Sequence, residues 1–334
     1  METRRFILAL SLSLLVFLVY VRFFAPAPPE TPVAEPAKQE AKTPQAASTP
    51  PTAPPAAAAK IEPAVRGRDI VIETDLVKAT LNTAGGVITG WELKKYREAD
   101  KTEVGLRALY RKIAGQTKKE EKPRKELGNV QLMPVYAGVD RADMVMPLTV
   151  VPLDKALYTI SRVEYRTSHD ALRLGSEKPS ETIVLTYTGP AGLLIEKRLT
   201  FHNDNYQVDV TVNTKGLDGY TLSLGTDFGL EDKVSSDASG RVGLVARTDG
   251  KTVTEKLDSI KGELQYAGKI EWFGQADKYF TAALAYGNQG IVTASRTTAP
   301  KEVGDLLSSA VTIKEKPDAR TFTLYAGPPT PCCR

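Results

Sequence analysis

The chain has 334 residues, with 44 Lys+Arg against 40 Asp+Glu, two histidines and two cysteines. Outside the first 66 residues the balance is 37 to 35, which leaves no footprint for nucleic acid. Cys332 and Cys333 are adjacent and close to the end, so they offer neither a disulfide framework nor a four-ligand metal site, and no cofactor is expected.

In chain order, Arg4 and Arg5 come first, followed by an apolar run from Phe6 to Val21. Phe6, Ile7, Leu8, Leu10, Leu12, Leu14, Leu15, Val16, Phe17, Leu18, Val19 and Val21 supply its apolar surface. As a helix the run is roughly 24 Å long, and roughly 28 Å with Phe24 included, against a hydrocarbon core of ~30 Å. It is therefore expected to span a bilayer. Ala25-Pro26-Ala27 has the small-x-small form of a signal cleavage site, but Pro26, Pro28 and Pro29 make it a poor protease substrate. A retained anchor is thus favoured over a cleaved signal or a buried core helix. Arg4 and Arg5 hold the start in the cytoplasm by the positive-inside rule, giving a single-pass protein with its main domain exported. Residues 25–66 carry 11 prolines and 13 alanines, and after Phe24 no aromatic residue. Such a segment reads as a disordered, partly extended spacer.

From Asp69 the hydrophobic period is two. Leu193, Ile195, Leu199 and Phe201 face one way against Glu196, Arg198 and Thr200, and Lys197 alone interrupts the apolar face. After His202-Asn203-Asp204-Asn205 the alternation resumes with Tyr206, Val208, Val210 and Val212, which predicts a hairpin. Further strands are predicted over Ile70–Glu73, Leu76–Asn82, Val87–Leu93, Leu157–Tyr165, Thr182–Thr188, Tyr220–Leu224, Arg241–Arg247, Lys278–Tyr286, Ile291–Ala294, Ala310–Lys314 and Thr321–Tyr325. Glycine and aspartate turns such as Gly85-Gly86 and Asp249-Gly250 punctuate them. Ala99–Ile113 and Val303–Ser309 are at most short helices, and the basic residues 111–128 read as a solvated loop. Strand after strand without crossover helices predicts antiparallel sheets, packed as a large β-sandwich over residues 67–328. Residues 329–334 form an atypical tail.

Catalytic signals are sparse. His169 and His202 have no metal-ligand spacing, and no nucleophile elbow, phosphate loop or H-E-x-x-H motif occurs. Carboxylates such as Asp227 and Glu231-Asp232 could serve a glycosidase only if facing strands paired them. Trp91 and Trp272 could stack on a sugar, but their strand contexts favour core packing.

Three stretches carry a resemblance. Val71-Ile72-Glu73-Thr74-Asp75, then Leu81-Asn82-Thr83-Ala84-Gly85-Gly86-Val87, then Leu93-Lys94-Lys95-Tyr96, resemble the opening of the periplasmic domain of the membrane-protein insertase YidC. Trp272-Phe273-Gly274-Gln275-Ala276-Asp277-Lys278-Tyr279-Phe280-Thr281-Ala282-Ala283-Leu284 is similar to the family's W-x-G-x-x-x-K-Y-F-x-x-A stretch. Leu324-Tyr325-Ala326-Gly327-Pro328 resembles its closing L-Y-x-G-P. The motif residues singled out are therefore Asn82, Thr83, Gly85, Gly86, Trp272, Tyr279, Phe280, Tyr325, Gly327 and Pro328.

The resemblance implies a mutarotase-like β-supersandwich without catalytic use. It also implies work beside the Sec translocon, with a SecF-type contact, inner-membrane lipid as neighbour, and nascent membrane proteins as clients once the family's later helices are supplied. Family members continue after L-Y-x-G-P into membrane helices, whereas this sequence runs to Pro-Cys-Cys-Arg, an ending consistent with a truncated or shifted reading. No groove residue can therefore be carried over. The expected function is an interaction module rather than an enzyme. A membrane-tethered carbohydrate-binding or carbohydrate-active sandwich and a bitopic periplasmic adaptor are the alternatives.

Overall fold

A computed structural model describes residues 67–98, 128–136, 139, 144–230, 243–298, 303–314 and 319–329. Its strands, in chain order, are β1 (Asp69–Glu73), β2 (Val77–Asn82), β3 (Val87–Arg97), β4 (Asn129–Gln131), β5 (Val150–Pro152), β6 (Arg166–Thr167), β7 (Ala171–Arg173), β8 (Ser180–Thr188) and β9 (Leu194–His202). They continue with β10 (Gln207–Lys215), β11 (Tyr220–Thr226), β12 (Gly243–Thr248), β13 (Lys251–Lys256), β14 (Glu263–Ala276), β15 (Thr281–Thr297), β16 (Leu306–Ile313) and β17 (Ala319–Gly327).

The alternation that predicts the β9–β10 hairpin is realised in full. Ile195, Leu199 and Phe201 are buried with Val208, Val210 and Val212, Lys197 is buried on that same face, the residues between them turn outward, and Phe201 pairs with Val208 across the turn. Val71 and Asp69 of β1 are exposed while Ile70 and Ile72 are sealed, so one residue of slip would turn the apolar set to water. The Asp249-Gly250 turn joins β12 to β13 with both residues at positive φ, +50° and +75°, as a two-residue hairpin requires.

The strands form two sheets. The smaller runs β4-β3-β2-β1-β7, and the larger runs β13-β12-β14-β15-β17-β10-β9-β8-β6. The larger sheet forks at β15, whose first residues pair with β17 (Ala283 opposite Tyr325) and whose last residues pair with β16 (Ala294 opposite Ser309). From β16 the second arm continues through β11 to β5. The smaller sheet lays Ile70, Ile72, Leu81, Ile88, Trp91 and Leu93 into the common core. Each such side chain contributes on the order of 1.5–3 kcal/mol by leaving water.

The sheets are antiparallel except at β1–β7, where Ile72 pairs with Leu172 in parallel. Two predicted elements are corrected. Leu157–Tyr165 is not a strand: Asp154 accepts a hydrogen bond from Ala156 N and starts a 3-10 helix over Lys155–Arg162 that buries Ile160. Val303–Ser309 is not a short helix, because from Leu306 it pairs with β15. The strand predicted over Lys278–Tyr286 starts at Thr281 and continues through Ile291–Ala294 as one element. Ala99–Ile113 and most of 111–128 lie outside the described residues.

Candidate functional site

The first motif forms the turn between β2 and β3. Asn82 Oδ1 accepts from Ala84 N at 2.9 Å, Gly85 N donates to Val163 O at 2.8 Å, and Tyr165 N donates to Thr83 O at 2.9 Å. Gly85 and Gly86 have φ of +80° and +57°, where an L side chain is strained. A Cβ on Gly86 would also stand 3.2 Å from the Tyr165 ring.

Against this turn rests Lys197 of β9, fully buried. Its Nζ donates to Gly85 O at 2.7 Å, Gly86 O at 3.0 Å and Leu148 O at 2.7 Å, and it lies 4.8 Å from the Tyr165 ring centroid. Three acceptors match the three N–H groups of an ammonium. Burial pulls the other way and pushes the amine down to about 7. The interruption of the apolar face that the sequence shows at Lys197 is thus a polar tie between the two sheets.

The other motif stretches meet at the opposite end of β3. Trp91 Nε1 donates to Ala326 O at 3.0 Å, and the indole packs on Phe228 and Phe201 at centroid distances of 5.9 and 6.5 Å. Tyr96 stands edge-on to Phe280 at 5.5 Å. Phe280 closes the β14–β15 turn, in which Asp277 Oδ1 accepts from Tyr279 N and Phe280 N, both at 2.7 Å. Thr281, just after that turn, pairs with Gly327. Tyr325 donates its hydroxyl to Pro328 O, and Tyr206 covers Gly327 so closely that a Cβ there would lie 2.8 Å from the Tyr206 ring. Burial and then the neighbouring Tyr96 raise the Tyr206 hydroxyl above its ordinary range. The opening, late and closing motifs therefore share one structural corner.

Asn203 joins the β9–β10 tip to the same corner: its Nδ2 donates to Asp75 Oδ2 at 2.6 Å and its Oδ1 accepts from Asp75 N at 3.0 Å. Elsewhere Asp227, buried at φ +52°, accepts from Leu307 N at 2.8 Å and from Tyr136 OH at 2.9 Å. Desolvation and then the Asp227 charge raise the Tyr136 hydroxyl. Gln275 Nε2 of β14 reaches the β16–β11 arm of the forked sheet, donating to Gly225 O at 2.7 Å and Ser309 Oγ at 2.9 Å. The Asp227 carboxylate and the Gln275 Nε2 group are occupied in holding strands together, while the buried Gln275 Oε1 has no hydrogen-bond donor among the described residues. Among the described residues no three His, Cys, Asp or Glu side chains converge as metal ligands.

The fates of the sequence-selected residues differ. Trp91 is core, with its N–H engaged, so its face is not offered to a sugar. Trp272 is not core but half-buried, on β14 opposite Arg247 and Ala285, because the bulge at residues 270–272 turns it outward. Tyr279 is 48% exposed. His202 Nε2 lies 2.8 Å from Asp209 Oδ2, and His169 Nδ1 2.8 Å from Ser168 Oγ, both at the surface. Glu231 and Asp232, the anchor run Phe6–Val21 with Arg4 and Arg5, residues 25–66, Cys332 and Cys333 lie outside the described residues, among which no helix is long and apolar enough to cross a membrane. The site residues that the sequence did not single out are Asn203, Gln275 and Tyr206. Gln275 lies inside the late motif, where its polarity within an apolar strand was the available signal.

Comparison with known proteins decides what this arrangement belongs to. Residues 135–330 match the YidC periplasmic domain family. The chain belongs to that family. It is 23% identical over 297 residues to Membrane protein insertase YidC of Syntrophus aciditrophicus, covering 88% of this chain and 47% of that protein. It is 26% identical over 342 residues to Membrane protein insertase YidC of Geobacter metallireducens, covering 97% and 57%. The chain thus spans about half the length of these curated relatives. A putative mutarotase (YeaD) from Salmonella typhimurium is similar in structure, with a TM-score of 0.44 and 10% identity over 78% of this chain and 90% of that one. Within this YidC periplasmic domain chain, β5 to β17 fall inside the matched stretch and β1 to β4 precede it.

Proposed function

We propose that the chain acts as the anchored periplasmic interaction module of a YidC-type membrane protein insertase, serving insertion and folding of inner-membrane proteins beside the Sec translocon. The match of residues 135–330 to the YidC periplasmic domain carries this reading, supported by relatives named membrane protein insertase along nearly the whole chain. In this proposal Phe6–Val21 anchors the chain with its start in the cytoplasm, residues 25–66 act as spacer, and the body from 67 to 328 stands in the periplasm. Its work is binding rather than catalysis. Its neighbours are inner-membrane lipid and Sec components through a SecF-type contact, and it meets nascent membrane proteins only together with the helices of the longer relatives.

Expression of residues 1–334 in cells depleted of their own insertase tests the proposal. Growth is expected to stay arrested while the protein accumulates in the inner membrane and cross-links to Sec components. Restored growth would overturn the module reading, since insertion would then reside in this chain.

A further inference from the structure

The hairpin at Asp249-Gly250 leaves a strand of six residues on the rim of the larger sheet. β13 pairs with β12 along its whole length, from Lys251 opposite Thr248 to Lys256 opposite Gly243, and among the described residues no strand pairs with its other edge. The two-residue turn makes Thr248 and Lys251 a hydrogen-bonded pair, and the ladder alternates from there. Lys251, Val253 and Glu255 therefore bond to β12, while Thr252, Thr254 and Lys256 aim their backbone N–H and C=O groups away from it. Such a row is a template for a further strand. Little blunts it: β13 has no proline, no bulge interrupts its pairing, and its centre is the β-forming run Thr252-Val253-Thr254 with the charges kept to its ends.

The side chains divide by the same alternation. Val253 is half-buried and packs on the core, Glu255 beside it accepts from the Tyr266 hydroxyl at 2.6 Å, and Thr252 and Thr254 are exposed on the other face. This edge is its own complement. Laid antiparallel against a second copy with Val253 at the centre, Lys251 stands opposite the copy's Glu255, Thr252 opposite its Thr254, and Val253 opposite its Val253. Opposite charges, threonine pairs and apolar contacts are each favourable across strands. The neighbouring registers lose them: one slide sets Glu255 against the copy's Asp249, and the other sets Val253 against its Glu255. Parallel pairing in register places Lys251 beside Lys251.

We propose that β13 is a self-association edge, at which two copies join antiparallel about a twofold axis through Val253. The larger sheet then runs on from one copy into the other. Because each copy uses the same edge, the contact is closed and association stops at the dimer instead of growing into a fibre. The contact is short, with about four backbone hydrogen bonds, and makes a reversible pair rather than an obligate one.

Disulfide trapping of the full chain in detergent micelles tests this, with Cys332→Ser and Cys333→Ser in the background so that introduced cysteines act alone. Val253→Cys is expected to form a linked dimer by itself, since the two positions face each other on the axis at a spacing that a disulfide accepts. Thr252→Cys and Thr254→Cys should link about tenfold faster when mixed than either does alone. A second arm needs no cysteine. By sedimentation in the same micelles, Lys251→Glu and Glu255→Lys should each weaken self-association about tenfold, and mixing the two should restore it, because each then carries the charges that the other lacks. Equal linking rates in mixed and unmixed cysteine variants, a chain that stays monomeric throughout, or charge variants that fail to recover on mixing would overturn the proposal.

Discussion

Two turns bear family motifs, and they are held by opposite means. The turn at Asp277–Phe280 closes on itself: one carboxylate oxygen, two and three residues from its donors, accepts both N–H groups. The turn at Asn82–Gly86 is set largely from outside, by a lysine more than a hundred residues later in the chain and by a carbonyl of Val163. A local turn can form as soon as its strands approach. The remote one is complete only when β9 has already docked, so its motif marks a meeting point of sheets rather than a hairpin signal.

The largest break in that comparison is Lys197→Met. Three buried carbonyls lose their donor at once, and unfolding by urea should show a loss of roughly 3–5 kcal/mol. The same variant fixes the sign of a pH effect. The folded amine releases its proton at about 7 against an ordinary 10.5, so between those values the unfolded chain binds more protons and wild-type stability rises with pH. The charge penalty is present in full below about 7, and the Lys197→Met curve should lack this rise. Equal slopes in the two proteins would remove the buried ammonium from the account.

Gly86→Ala comes next. The +57° backbone and the Tyr165 ring both resist a Cβ, and a loss of about 1–3 kcal/mol is expected by thermal or urea unfolding. Asp277→Ala is the smallest. It removes two hydrogen bonds inside one turn, costing about 1 kcal/mol, and Asp277→Asn should recover most of that because an amide oxygen accepts in the same place. If Asp277→Ala proved as damaging as Lys197→Met, the distinction between local and remote turns would fail.

The sequence makes these two turns unequally visible. Alternation in β9 and β10 gives the hairpin and even flags Lys197 as the one polar residue on the apolar face, but its partners are backbone oxygens that no side-chain pattern encodes. The stretch 157–165 misleads because Ile160, Val163 and Tyr165 are β-formers, whereas the Asp154 cap fixes the local backbone. β13 and β14 escape prediction; along β13 and the first half of β14 the residues alternate between exposed and half-buried, with too few apolar side chains to set a period. The short strands β4 to β7 exist only as neighbours of longer ones. Convergence of the motifs at one corner is likewise invisible in sequence, since it depends on the β15–β17 register and on Trp91 reaching across the sheets.

That register has a mechanical meaning. β17 lies between β10 and β15 and runs antiparallel to both, with ladders on its two edges. Tension applied to the chain beyond Pro328 would draw β17 along its own axis and load both ladders in shear, so that many bonds share the force instead of parting one by one. A tug from that side would be borne by the whole sandwich, with the Trp91 anchor at Ala326 handing part of the load to the smaller sheet.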